Sequence, residues 1–211
     1  MDSNNLRTLP DELCQLCELL VLVLSNNFLM NLPNGIGNMR QLESIHATNN
    51  QIRDLPASIF TLKNLTFLDL SSNKLKQLSD GIGQLTQLRS LLLYDNRLRL
   101  IPDSISMLKN LTTLWLGRNR LRSLPRCLTQ LKQLDWKRNY LSTILDENPL
   151  LSPPLSICVL GFSAINKWHQ QNSTVGVLNL DGVQQYNDGQ SSMGDPSPGR
   201  FPIQRSPHFF N

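Results

Sequence analysis

Leucine and isoleucine recur along this chain in a frame of constant length. Five evenly spaced asparagines mark the repeat, and each block reads Leu-x-x-Leu-x-Leu-x-x-Asn-x-Leu, with isoleucine or alanine replacing some leucines. A Leu-Pro or Ile-Pro pair follows most blocks, and an isoleucine follows three positions later. This self-similarity at a fixed period predicts a solenoid of stacked coils. The marking asparagines are Asn27, Asn50, Asn73, Asn96 and Asn119.

Each coil is expected to contain one strand, one turn and one helical return. The Leu-x-Leu portion predicts a short strand, because alternate strand residues point to opposite faces. The asparagine is expected to cap backbone groups where the chain turns away, so that the asparagines stack as an internal ladder. The segment after the proline should return as a helical turn on the outer side. A single coil buries too little apolar surface to fold alone, so the coils must stack.

This repeat resembles the leucine-rich-repeat superfamily, in particular the 23-residue class with the Leu-Pro-x-x-Ile-x-x-Leu frame. That class includes Ras suppressor protein, the Scribble and Erbin scaffolds and the plant intracellular Ras-group repeat proteins. The resemblance covers about residues 4–171. It implies an α/β fold, a curved horseshoe segment with a parallel sheet on its concave side. It also implies a non-enzymatic scaffold or adaptor in intracellular signalling, whose protein partner belongs to a small-GTPase pathway or a polarity complex. No phosphate-binding loop, Ser/His/Asp set or Cys/His pairing occurs in the sequence, so no cofactor or metal is expected.

The pattern divides the chain into three segments. Residues 1–145 are predicted to form about six coils, residues 146–171 a C-terminal cap with a helix, and residues 172–211 a disordered tail rich in Gly, Ser, Gln and Pro. The last coil fits the frame with Asn139, only 20 residues after Asn119, and with Trp136 in a leucine position. The cap helix is expected to cover the terminal leucines with one apolar face, formed by Val159, Phe162, Ile165 and Trp168.

Outward strand positions should line the concave face, and several carry side chains that the core does not need. Clustered exposed aromatic residues are common anchors of protein interfaces, although they can also pack only against one another across strands. The predicted partner-binding residues are His46, Phe67, Asp69, Leu92, Tyr94, Trp115 and Lys137.

Positive charge is concentrated in the middle of the chain, where residues 70–145 carry a net charge of +9 against +4 for all 211 residues. Seven cations occupy two repeat positions in successive coils, so stacking should align them as a ladder. Such a ladder could attract an acidic or phosphate-bearing partner, or it could be an ordinary solvated face. Its members are Arg53, Lys74, Lys76, Arg97, Arg99, Arg120 and Arg122.

Three functional hypotheses compete. An interaction module on the concave face is favoured. Nucleic-acid or anionic-membrane binding is disfavoured, because the charges follow the repeat and few aromatic residues lie between them. The third is a fragment or isoform of a larger protein whose other domains carry the activity.

The cysteines bear on chemistry and location. Cys14 and Cys17 form a lone C-x-x-C without a second pair, so a zinc site is not expected. Four cysteines without a disulfide framework, together with the absence of a signal peptide, predict a cytoplasmic location. The oligomeric state is not predicted.

Overall fold

The computed structural model describes residues 1–136 and 145–172, which form a solenoid with a five-stranded parallel sheet. The strands lie in chain order, and each pairs with the next at an offset of one repeat, as Val21 does with Ser44. The predicted solenoid is confirmed. The strands are β1 (Val21–Val23), β2 (Ser44–His46), β3 (Phe67–Asp69), β4 (Ser90–Leu92) and β5 (Thr113–Trp115).

Each strand buries its central residue and directs the flanking two to the opposite face. Leu68 at the centre of β3 is fully buried, whereas Phe67 and Asp69 beside it are partly exposed. The buried leucines and isoleucines of successive coils form one continuous core. Stacking removes their side chains from water, and this burial drives folding of the array.

The return of each coil is a 3-10 helix of five residues. In five of the six coils a proline precedes it with φ between −64° and −70°, the angle that the pyrrolidine ring enforces. Ser79 replaces the proline once, at φ −68°, and its hydroxyl accepts a hydrogen bond from the amide of Gly81 at 3.2 Å. These helices are Asp11–Gln15, Asn34–Asn38, Ala57–Thr61, Asp80–Gln84, Asp103–Met107 and Arg126–Gln130.

The asparagine ladder is present as predicted. Asn73 is 7% exposed, its Oδ1 accepts a hydrogen bond from the amide of Ile52 at 2.9 Å, and its Nδ2 donates to the carbonyls of Ala47 and Leu70. The residue before each ladder asparagine has φ between 52° and 56°. This left-handed turn brings the asparagine inward, where it joins adjacent coils through buried hydrogen bonds.

The last ladder asparagine differs from the prediction. Asn148 holds the position, since its Oδ1 accepts from the amide of Leu121 at 3.0 Å and its Nδ2 donates to the carbonyl of Leu116 at 2.8 Å. Asn139, predicted for this role, lies outside the described residues. The regular register holds up to Asp135, whose amide bonds to Thr112 as that of Thr112 bonds to Arg89. The final coil is therefore longer than the others, not shorter.

Up to residue 172, where the described part ends, two α-helices follow the last coil, α1 (Leu155–Cys158) and α2 (Phe162–Gln171). Gly161, at φ 84°, separates them. The predicted helix is present, but the expected covering face is only partly right: α2 buries Ile165 and His169, one helical turn apart, while Phe162 and Trp168 remain partly exposed and Val159 precedes the helix. α2 packs beside the 3-10 helix Arg126–Gln130. In the described part of the chain, no helix has both the length and the apolar composition needed to cross a membrane. The predicted tail falls almost wholly outside that part.

Candidate protein-binding surface

The sheet side opposite the core, here called the open face, carries two columns of side chains in register. Strand pairing places the first residues of β1 to β5 side by side, and likewise the third residues. The first column is Val21, Ser44, Phe67, Ser90 and Thr113, and the second is Val23, His46, Asp69, Leu92 and Trp115.

A contact group of three predicted residues lies on β2 and β3. The rings of His46 and Phe67 stack with centroids 4.7 Å apart and a tilt of 30°. His46 also lies in register with Asp69. Burial lowers the pKa of His46, and the Asp69 carboxylate partly opposes that change. Burial likewise raises the pKa of Asp69, against the hydrogen bond its Oδ1 accepts from the Ser71 amide at 2.9 Å. The group offers an aromatic surface beside two ionisable side chains.

A second group surrounds Tyr94 and includes residues that the sequence pattern did not indicate. The guanidinium of Arg118 lies 6.0 Å from the centroid of the Tyr94 ring, and its Nε donates to Glu147 Oε2 at 3.0 Å. Burial raises the pKa of Tyr94. Arg118 and Glu147 both directly precede a ladder asparagine, at the left-handed turn. Its position in the repeat could have identified Arg118 as a candidate from the sequence. Glu147 could be identified only once Asn148 was known to be the ladder asparagine of the final coil.

Two further predicted residues are less accessible than expected. Leu92 was predicted to be an exposed binding residue, but it is 8% exposed. It lies in register between Asp69 and Trp115, on adjacent strands about 4.8 Å away. Trp115 is partly exposed, yet its indole N–H is buried and has no hydrogen-bond acceptor in residues 1–136 or 145–172. Lys137, predicted for the same face, lies outside the described residues.

The seven cations, here called the basic ladder, occupy equivalent positions in successive coils, one and three residues after the ladder asparagines. Backbone bonds repeat from coil to coil, because the amides of Lys74, Arg97 and Arg120 each bond to the preceding coil at the same offset. Four of the cations line a depression of about 220 Å³. Within the described residues, none of the seven forms a salt bridge with a carboxylate. The four lining residues are Arg53, Lys74, Lys76 and Arg97.

Comparison with protein families matches the repeats directly. The family described as "Leucine-rich repeat region" matches residues 1–94, and "Leucine Rich Repeat" matches residues 87–108 and 110–131. No curated protein sequence gives a significant match.

Solved structures share the architecture. A leucine-rich-repeat protein of Leptospira interrogans is 33% identical, with a TM-score of 0.53, over 69% of this chain and 41% of that one. The leucine-rich-repeat ectodomain of the membrane receptor kinase GASSHO1/SCHENGEN3 from Arabidopsis thaliana, in complex with Casparian strip integrity factor 2, is 36% identical, with a TM-score of 0.60, over 68% and 17%. A plant peptide hormone receptor, RGFR1, in complex with RGF2, is 25% identical, with a TM-score of 0.60, over 68% and 23%. The chain thus spans less than half the length of each of these proteins.

The repeat frame, the parallel sheet and these matches agree with one another. Proteins of this kind are typically non-enzymatic modules that bind other proteins. The chain belongs to the leucine-rich-repeat superfamily.

Proposed function

We propose that this chain binds a partner protein through the open face of its sheet, acting as a scaffold or adaptor in intracellular signalling. The observation that carries the proposal is the placement of aromatic and ionisable side chains where folding does not require them. The inward residues of the strands already fill the core, since Leu68, Leu91 and Leu114 are fully buried. Phe67 and Trp115 lie outside that spine on the opposite face. Tyr94, two residues after Leu92 in the same alternation, is partly exposed.

These side chains have the chemistry of interface anchors. Large aromatic residues and arginine contribute most of the energy at many protein interfaces, especially where a rim of other residues excludes water. Phe67 already has one ring face against His46, and Tyr94 lies near Arg118, so both aromatic residues have a contact that limits their motion. Preordered anchors lose less conformational entropy on binding. The open face therefore supports recognition of a protein surface.

The structural neighbours are consistent with this role. Two of them, the GASSHO1/SCHENGEN3 ectodomain and RGFR1, are each solved in complex with a second molecule. The partner that we propose for this chain is a component of a small-GTPase pathway or a polarity complex.

The intracellular location is also proposed. Cys17 is an exposed free thiol, and Cys14, Cys127 and Cys158 are free as well, which suits a reducing compartment. Imaging and fractionation of the tagged chain test this, and recovery in the medium would contradict it.

Affinity capture with paired variants tests the open face. The double variant Phe67→Ala/Tyr94→Ala removes two anchors, whereas Met107→Ala removes an apolar side chain that is 56% exposed on the 3-10 helix Asp103–Met107, outside the strands of the sheet. Proteins captured by the wild type and by Met107→Ala, but lost with the double variant, are the expected result. A purified candidate should then bind the double variant at least about tenfold more weakly, with the folded fraction unchanged by circular dichroism. Equal capture by all three proteins would refute the open face as the binding site.

A further inference from the structure

The basic ladder is a second surface, on a different side of each coil from the open face. Seven of the eight side chains at its two positions in coils two to five are cations, and Gln51 is the exception. These seven are more than a third of the 20 lysines and arginines in the chain. A solvated surface normally intersperses both charge signs, so this concentration on one flank needs another explanation.

Folding does not explain the cations. The two positions flank a buried residue, as Lys74 and Lys76 flank Leu75, and they point away from the core. In the first coil the same positions hold Phe28 and Met30, so neither position requires charge. Successive coils stack the backbone positions of the cations about one strand spacing, roughly 4.8 Å, apart, and like charges on adjacent coils repel one another.

We propose that the basic ladder binds an acidic polypeptide segment that carries an apolar side chain at one end. Charge complementarity and geometry support this partner. Five of the seven cations are arginines, and the planar guanidinium group can hold a carboxylate through two parallel hydrogen bonds. The depression of about 220 Å³ between Arg53, Lys74, Lys76 and Arg97 provides room for carboxylate side chains between the two columns.

The apolar end of the partner follows from the first coil. Phe28 and Met30 continue the same two columns and are each 46% exposed. The amide of Phe28 bonds to Leu6 as that of Lys74 bonds to Ile52, so the columns run without a shift into these two residues. Asn5 and Arg7 occupy the same two positions one repeat earlier. An extended segment that lies along the seven cations and ends at the next coil would place an apolar side chain on Phe28 and Met30.

A nucleic acid matches this surface less well. Bases bind proteins partly by stacking on aromatic rings, and coils two to five contribute no aromatic side chain to the ladder. Phe28, beyond the cations, offers a single ring on which one base could stack. The combination of carboxylate-matching arginines with an apolar end favours a peptide.

Fluorescence anisotropy with a synthetic peptide tests the proposal. The probe alternates glutamate and glycine and ends in phenylalanine, and it is titrated with the full chain at low salt. The double variant Lys76→Glu/Arg99→Glu reverses two ladder charges. The control Arg40→Glu/Arg89→Glu makes the same change in net charge at two exposed arginines outside the ladder. We expect the ladder variant to bind at least about tenfold more weakly and the control to stay within about threefold of the wild type.

Further measurements test the contribution of the apolar pair Phe28 and Met30 and compare the peptide with competing ligands. Replacing the terminal phenylalanine of the probe by glycine should weaken binding to the wild type by about fivefold, and Phe28→Ala should abolish that difference. Phe67→Ala, on the open face, should leave peptide binding unchanged, so this test is independent of the proposed function. The proposal is overturned by no binding at low salt, by equal loss in both double variants, or by single-stranded RNA or phosphatidylserine vesicles binding the ladder more tightly than the peptide.

Discussion

The asparagine ladder can be tested with one side chain, Asn73→Ala, because the hydrogen bonds of Asn73 join neighbouring coils. The substitution removes the acceptor of the Ile52 amide, a bond of 2.9 Å, and the donor to the carbonyls of Ala47 and Leu70 at 2.9 and 3.0 Å. Asn73 is 7% exposed, so little water is available to replace these bonds.

The loss of stability in Asn73→Ala depends on whether the neighbouring ladder asparagines still bond to the groups that Asn73 leaves. The carbonyl of Ala47 keeps a donor from Asn50 at 3.3 Å, and that of Leu70 keeps one from Asn96 at 2.9 Å. The buried Ile52 amide has no other acceptor in the described residues. An unsatisfied buried donor costs about 1–3 kcal/mol, and losing bonds to carbonyls that keep another partner adds about 1 kcal/mol. We therefore expect Asn73→Ala to lower the free energy of unfolding by about 2–4 kcal/mol.

Urea unfolding followed by circular dichroism measures this loss. The matched control is Asn64→Ala, because Asn64 is exposed and its Nδ2 donates one hydrogen bond to the carbonyl of Arg40 at 3.0 Å. Its loss should cost less than about 1 kcal/mol, since water can replace the bond. If Asn73→Ala proved no more destabilising than Asn64→Ala, the ladder would not hold the coils together.

Three other substitutions test local features of the coils. Ser79→Pro should have a free energy of unfolding roughly 0.5 kcal/mol higher than Ser79→Ala in urea titration, because both lose the hydrogen bond from the Gly81 amide, φ is already −68°, and only proline restricts the unfolded chain; equal stability of the two variants would contradict this. Gly83→Ala should cost about 1–3 kcal/mol in the same assay, because its Cβ would lie 2.7 Å from the Ser104 carbonyl oxygen; no loss would show that the coils shift freely. Burial lowers the pKa of His46, so the neutral form is favoured in the folded state and the stability it contributes is present above about pH 6.5 and declines as pH falls. His46→Gln should therefore lose less stability than the wild type between about pH 7 and pH 5, and parallel pH profiles would exclude this effect.

The fold could be predicted because one period governs strand, turn and core together. A constant step between leucines can be satisfied only by stacking equivalent residues, and the register Leu68 to Leu91 to Leu114 follows directly. The alternation within each strand then assigns residues to the core or to the open face. That alternation, which is visible in the sequence, is enough to place Phe67 and Trp115 on the open face.

The final coil escaped prediction because the nearest asparagine in a similar frame, Asn139, suggested a short repeat. Leu145-x-x-Asn148-x-Leu150 matches the frame of the earlier blocks, but Asn148 lies farther from Asn119 than one repeat. Closure entropy grows only slowly with the number of residues between two contact points, so the step from Asn119 to Asn148 can exceed one repeat while the ladder bond is kept. The hydrogen bonds of Asn148 identify the final coil, whereas the spacing between asparagines does not.

The solvent exposure of an open-face side chain was harder to predict than the side of the sheet to which it points. The in-and-out alternation shows that Leu92 points away from the core, but it does not show whether neighbours on adjacent strands cover it. That depends on the side chains one repeat before and one repeat after, Asp69 and Trp115. Pairing at the left-handed turns, such as Arg118 with Glu147, likewise needs the position of the next coil.

The two proposed surfaces follow from this division of roles within each coil. The core and the ladder asparagines fix the backbone, and their positions tolerate little change because each is buried. The strand residues of the open face and the flank residues after each asparagine are free of that constraint. At these free positions the chain carries stacked aromatic residues on one side and seven like charges on the other. The buried core requires neither grouping, and like charges on adjacent coils repel one another, which is why we propose a binding role for both.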